Sequence, residues 1–121
     1  MHKPANSYLY YHNPRCSKSR QGLALLHEHG IEPTVIEYLK TPPSAAELAQ
    51  ILSKLGIEPR ALLRTQESAY QDAGLDNPQL SRDELITAMI AHPILIERPI
   101  LIAKDKAAVG RPPEKLLEVL A

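Results

Sequence analysis

A helical pattern from Ser17 to His29 is enclosed by two β-rich runs, Ser7–Tyr11 and Thr34–Leu39, and this order constrains the fold more than any other feature of the chain. Leu23 and Leu26 lie on one side of the helix, and Gly30 stands where a left-handed cap would stop it. Val35 and Ile36 give the second run the β-branched content of a strand. Two strands joined through one helix pair in parallel, and the crossover is right-handed. The loop leaving the first strand of such a unit opens onto the ligand crevice. That loop carries His12, Asn13, Pro14 and Arg15 and ends at Cys16, the only cysteine of the chain.

Thr41-Pro42-Pro43 breaks the pattern, and helices follow. Ser44 with Glu47, and Ser81 with Glu84, have the spacing of a capping box. The first box precedes Leu48, Ile51, Leu52 and Leu55 with Gly56 as the stop; the second precedes Leu85, Ile86, Met89 and Ile90, ending near His92-Pro93. Short helices are predicted from Pro59 to Arg64 and from Ser68 to Ala73, the latter closed by Gly74. Residues 42–93 therefore read as an all-helical insertion between two pieces of sheet. The apolar run Arg98–Ala103 resumes the sheet, Lys104-Asp105-Lys106 turns it, and Ala107–Val109 returns antiparallel. A closing helix follows Gly110-Arg111-Pro112-Pro113, with Leu116, Leu117, Val119 and Leu120 as its core side. The order βαβ, helical insert, ββα predicts an α/β protein of thioredoxin-like architecture, with residues 1–121 as a single domain.

The 14 basic and 14 acidic residues cancel, which argues against a general nucleic-acid or membrane-surface binder. Phe and Trp are absent, so the core must be aliphatic and no aromatic platform for bases is evident. One cysteine forms no internal disulfide, residues 1–6 lack the apolar core of a signal peptide, and no run is long enough to span a bilayer. A cytoplasmic protein is expected. No His, Cys, Asp or Glu spacing suggests a metal site.

A lone cysteine is commonly a small buried hydrophobe. The residues around Cys16 are polar, and a helix begins there, so its free N–H groups and dipole favour thiolate over thiol. His12, Arg15, Lys18 and Arg20 bring positive charge that acts in the same direction, and an imidazolium at His12 would stabilise the anion. Cys16-Ser17-Lys18-Ser19 has the spacing of a C-x-x-C motif with serine in the second place, so a thiol from another molecule must complete any redox cycle. Ser19 serves equally well as a simple cap of the first helical turn. Arg64, Arg98 and Arg111 each stand at the end of an element, and guanidinium forks meeting there would suit a tetrahedral oxyanion. In thioredoxin-like folds a cis proline precedes the third strand, beside the cysteine turn; Pro99 occupies that place.

Several blocks carry a more specific resemblance. They are Tyr11-His12-Asn13-Pro14-Arg15-Cys16 with Ser19-Arg20, Thr41-Pro42-Pro43-Ser44, Arg60-Ala61-Leu62-Leu63-Arg64, His92-Pro93-Ile94-Leu95-Ile96, Arg98-Pro99-Ile100 and Gly110-Arg111-Pro112. Together they resemble the glutaredoxin-dependent arsenate reductases, in a shorter, ArsC-like branch. The resemblance implies Cys16 as the nucleophile toward arsenate or a similar oxyanion and His12 as the residue stabilising its thiolate. It further implies Arg64, Arg98 and Arg111 as oxyanion ligands, supported by Asn13, Ser19, Arg20 and Pro99. Glutathione is then a co-substrate with no bound cofactor, glutaredoxin is the partner that regenerates the thiol, and neither nucleic acid nor membrane is involved. Two alternatives stay open: a glutathione-dependent thiol oxidoreductase, and an Spx-like regulator that binds RNA polymerase. The missing second cysteine and the three arginines speak against the regulator.

Overall fold

Leu9–His12 (β1) pairs in parallel with Thr34–Glu37 (β2) through the helix Ser17–Glu28 (α1), and this unit sets the architecture of the computed structural model, which describes residues 8–120. Ser7, the expected start of the first strand, and residues 1–6 lie outside that range. The chain divides into two compact units, one made of the residues up to Thr41 together with those from Arg98 onward, the other Pro42–Glu97.

In the first unit, Ile100–Ile102 (β3) and Ala107–Val109 (β4) complete a four-stranded sheet of order β2-β1-β3-β4, with β1/β3 and β3/β4 antiparallel. The fold is thioredoxin-like. The register sets Tyr10 opposite Leu101 and Leu101 opposite Ala108, so the alternation of strand side chains puts all three on one face. Leu26 of α1, with Leu116 and Val119 of the closing helix, joins them and Tyr8 in one buried core. Tyr11 points to the other face, where its ring stacks on Tyr38 at 6.1 Å. Gly30 has φ +75°, and the amide of Ile31 reaches back to the carbonyl of Leu26, so α1 ends as its glycine predicts.

Several elements differ from the sequence reading, and β1 runs on to His12 where Tyr11 was expected to end it. β2 stops at Glu37, not Leu39, because the Glu37 carbonyl accepts from the amides of Lys40 and Thr41 and turns the chain. β3 begins at Ile100, after a cis peptide between Arg98 and Pro99. The closing helix, Pro113–Val119, is 3₁₀ and not α: its buried residues Pro113, Leu116 and Val119 recur every third position, the period of that tighter helix, and Leu117 is only half-buried.

The second unit is helical: Ala45–Leu55 (α2), Pro59–Leu62 (α3), Ser68–Asp72 (α4) and Arg82–Ala91 (α5), with a 3₁₀ turn at Pro93–Leu95. Both capping boxes form, Ser44 with Glu47 and Ser81 with Glu84. Leu48, Ile51 and Leu52 of α2 are buried, as are Leu85, Ile86 and Met89 of α5. The Arg60 guanidinium donates to the carbonyls of Leu75 (2.9 Å) and Asn77 (2.6 Å), which ties the loop after α4 to α3. α3 ends at Leu62, two residues before the predicted end, because Leu63 forms an antiparallel bridge with Ile96.

Candidate active site

The turn between β1 and α1 is built by its own polar residues. Asn13 Oδ1 accepts from the amide of Arg15 at 3.0 Å, its carbonyl accepts from the amide of Cys16 at 2.9 Å, and its amide donates to Ser19 Oγ at 3.3 Å. Asparagine is suited to this because its short amide mimics a further backbone turn. The Arg20 guanidinium donates to the Pro14 carbonyl at 2.8 Å and holds the turn from outside. Asn13, Ser19 and Arg20 thus fix the chain on both sides of Cys16.

Cys16 is the N-cap of α1, with extended backbone (φ −95°, ψ 123°), and its carbonyl accepts from the amide of Arg20. It is buried, at 9% exposure, and not in the solvated position its polar neighbours suggest. Burial alone would push the thiol up. The Ser19 backbone N–H, the Arg98 guanidinium, the Lys18 backbone N–H and the Ser19 hydroxyl outweigh it and bring the thiol below its ordinary value. The neutral thiol makes no complete capping hydrogen bond; those N–H groups favour its anion instead. The side-chain charge that lowers the thiol in this balance is that of Arg98, far away in sequence.

The environment of His12 acts on its imidazole as well. Burial lowers its pKa, the carboxylate of Glu37 raises it, and Arg20 lowers it further; the net shift is downward, which favours the neutral imidazole. Its Nδ1 is buried with no hydrogen-bond partner among the described residues. In the sheet register His12 stands opposite Glu37.

Arg98 and Arg111 come together at the start of β3. Arg111 Nε donates to the Arg98 carbonyl at 2.9 Å, and the amide of Gly110 donates to the Pro99 carbonyl at 2.9 Å. Both Arg98-Pro99 and Arg111-Pro112 are cis; the second was not predicted. Arg64 lies in the helical unit, where its guanidinium pairs with Glu67 (2.8 Å) and Glu97 (3.8 Å).

Tyr10 is a site residue that the sequence reading took only for a strand aromatic. Its hydroxyl donates to the Ser19 carbonyl at 2.7 Å, beneath the first turn of α1. Burial pushes this hydroxyl far above its ordinary value, and the nearby charge of Cys16 pushes it the same way. Gly22 makes the approach possible: a Cβ there would collide with the Tyr10 hydroxyl and lie 2.8 Å from Leu116 Cδ1. A tyrosine twelve positions before a helical glycine carries no local signal of such a contact. Among the described residues no group of three or more His, Cys, Asp or Glu could hold a metal ion, and no helix is long and apolar enough to cross a membrane.

This arrangement suits a nucleophilic sulfur whose reaction partner is an anion. Residues 11–119 match the ArsC family. A protein of Neisseria meningitidis serogroup B named arsenate reductase is 51% identical over 111 residues, covering 91% of this chain and 95% of that protein. One of Haemophilus influenzae with the same name is 50% identical over 115 residues, covering 94% and 99%. The structure of an arsenate reductase from Vibrio cholerae superposes with a TM-score of 0.92 at 50% identity, covering 96% of this chain and 99% of that one.

Proposed function

We propose that this chain, which belongs to the ArsC family, reduces arsenate to arsenite with the Cys16 thiolate as nucleophile and glutathione and glutaredoxin as the source of electrons. The observation that carries the reading is the sulfur at the start of α1, held toward its anion by helix N–H groups and by Arg98, with Arg111 tied to the Arg98 backbone. The similarity to proteins named arsenate reductases supports arsenate as the substrate.

In this reading Arg98 and Arg111 receive the oxyanion. The sulfur attacks arsenic, an S–As bond forms, and one As–O bond breaks, its oxygen leaving as water after protonation. A glutathione thiolate then attacks the Cys16 sulfur. The S–S bond forms as the S–As bond breaks, and the bonding pair stays with arsenic, which leaves as arsenite. Glutaredoxin takes the glutathionyl group by thiol–disulfide exchange and frees Cys16. Ser19 favours the anion of the sulfur through its N–H and hydroxyl. The single cysteine supports the external thiol, because the chain has no second thiol with which to resolve its own disulfide.

The test is a coupled assay with arsenate, glutathione, glutaredoxin, glutathione reductase and NADPH. NADPH consumption is expected to need every component and to vanish in Cys16→Ser. Consumption that does not depend on arsenate would instead favour a glutathione-dependent thiol oxidoreductase.

A further inference from the structure

A cavity of about 280 Å³ lies where the β1 turn meets the end of β2, lined by His12, Asn13, Arg15, Glu37, Leu39 and Lys40. We propose that it is the subsite for the external thiol, and that it selects a small peptide thiol carrying both an ammonium and a carboxylate group. The inference rests on the reading above that a thiol from outside regenerates Cys16.

Both signs of charge line this one cavity. Glu37 offers an anion to an ammonium group, while Lys40 and Arg15 offer cations to a carboxylate. Glu37 and Lys40 contact each other at 3.5 Å with side chains 44% and 80% exposed, and an exposed pair of this kind is worth about 0–1 kcal/mol. A ligand can therefore exchange it for two pairs of its own at little cost. The apolar part of a short peptide meets Leu39, whose 39% exposure is otherwise unexplained for a leucine beside a buried tyrosine.

The second observation is independent of charge. His12 is 8% exposed, lines the cavity, and has a buried Nδ1 without a partner among the described residues. A buried polar atom left unpaired costs about 1–3 kcal/mol. Nδ1 is sealed from solvent, so a bound peptide reaches it once the imidazole turns toward the cavity it lines, where an amide or carbonyl then supplies the missing hydrogen bond. The cavity also lies next to the reacting atom along the chain, since Arg15 precedes Cys16 directly. Cys16 itself does not line the cavity, so the thiol end of a ligand seated here extends beyond it to reach the sulfur. A metal is not the fitting occupant, because Lys40 and Arg15 would repel it.

S-methylglutathione is the probe, since it keeps both charged ends and has no free thiol. Titrated into isotopically labelled protein at millimolar concentrations, it is expected to produce saturable amide shifts at Asn13, Arg15, Leu39 and Lys40. Lys40→Glu is expected to weaken that binding at least tenfold without changing Tm, because the side chain is exposed. Absence of saturable shifts at these amides, or an affinity unchanged by Lys40→Glu, overturns the subsite. Binding does not require arsenate chemistry, so the two readings fail separately. Arsenate-dependent NADPH consumption without the shifts refutes the subsite alone, whereas the shifts without arsenate turnover refute the substrate and leave a peptide-thiol site.

Discussion

Replacing Gly22 by alanine sets two contributions of opposite sign against each other. Gly22 lies inside α1, where alanine is better than glycine by about 0.8–1.0 kcal/mol from helix propensity. Packing acts the other way. The new Cβ would collide with the Tyr10 hydroxyl, lie 2.8 Å from Leu116 Cδ1 and 3.4 Å from Pro99 Cγ. Tyr10 and Leu116 are both 0% exposed, so neither can retreat into solvent. Overpacking of a close-packed core costs about 1–3 kcal/mol. Displacing the Tyr10 hydroxyl also breaks its 2.7 Å bond to the Ser19 carbonyl, and leaving such buried partners unsatisfied costs about 1–3 kcal/mol. Packing wins, and the net destabilisation is about 2–3 kcal/mol. For a domain of this size that is a fall in Tm of about 6–12 °C, measured by urea or thermal unfolding followed by circular dichroism. Gly30→Ala is the control: nothing among the described residues lies within 4 Å of its Cβ position, and with φ +75° only the backbone term remains, about 1 kcal/mol. A Gly22→Ala protein as stable as the parent, or more stable, would refute the contact between α1 and Tyr10.

Arg98→Ala is expected to lower kcat/KM for the oxyanion at least tenfold, about 1.4 kcal/mol of lost transition-state stabilisation; steady-state kinetics with varied arsenate would remove Arg98 from the site if the ratio did not change. Ser44→Ala removes one half of the α2 capping box and is expected to cost about 1 kcal/mol in urea unfolding. A loss near zero would mean that the cap contributes nothing. Because burial holds the His12 imidazole below its ordinary value, the unfolded chain binds a proton that the folded chain refuses once the pH drops below about 6.5. Stability is therefore expected to decline from pH 7 to pH 5 more steeply in the parent than in His12→Gln. Equal slopes in pH-dependent unfolding would contradict the neutral assignment.

What the sequence disclosed follows from the range of the interactions involved. The capping boxes at Ser44 and Ser81, and the left-handed stops at Gly30 and Gly56, are each settled within four or five residues and could be read directly. The end of β2 could not, since Tyr38 and Leu39 look like strand residues while the turn is made by the Glu37 carbonyl. The closing helix has apolar residues at Leu116, Leu117, Val119 and Leu120, which fit an α-helix as well as a 3₁₀ helix; the buried set that decides between them depends on packing against α1 and the sheet. In the site, the cysteine at a helix start was visible in the residue pattern. The source of its stabilising charge was not, because sequence proximity favours Arg15, Lys18 and Arg20 while the fold brings in Arg98. The burial of His12 was hidden for the same reason: a polar loop composition gives no sign that the ring lies beside Tyr10, with centroids 5.6 Å apart.

The central claim is that the start of α1 and the Arg98 guanidinium together overcome the burial of Cys16 and hold its sulfur toward the anion. The rate of iodoacetamide alkylation, followed by mass spectrometry across pH in native protein and in urea, measures this directly. The account predicts a native midpoint below the free-cysteine value of about 8.5, returning to that value in urea. A native midpoint at or above the urea value would show that burial prevails and would contradict the account.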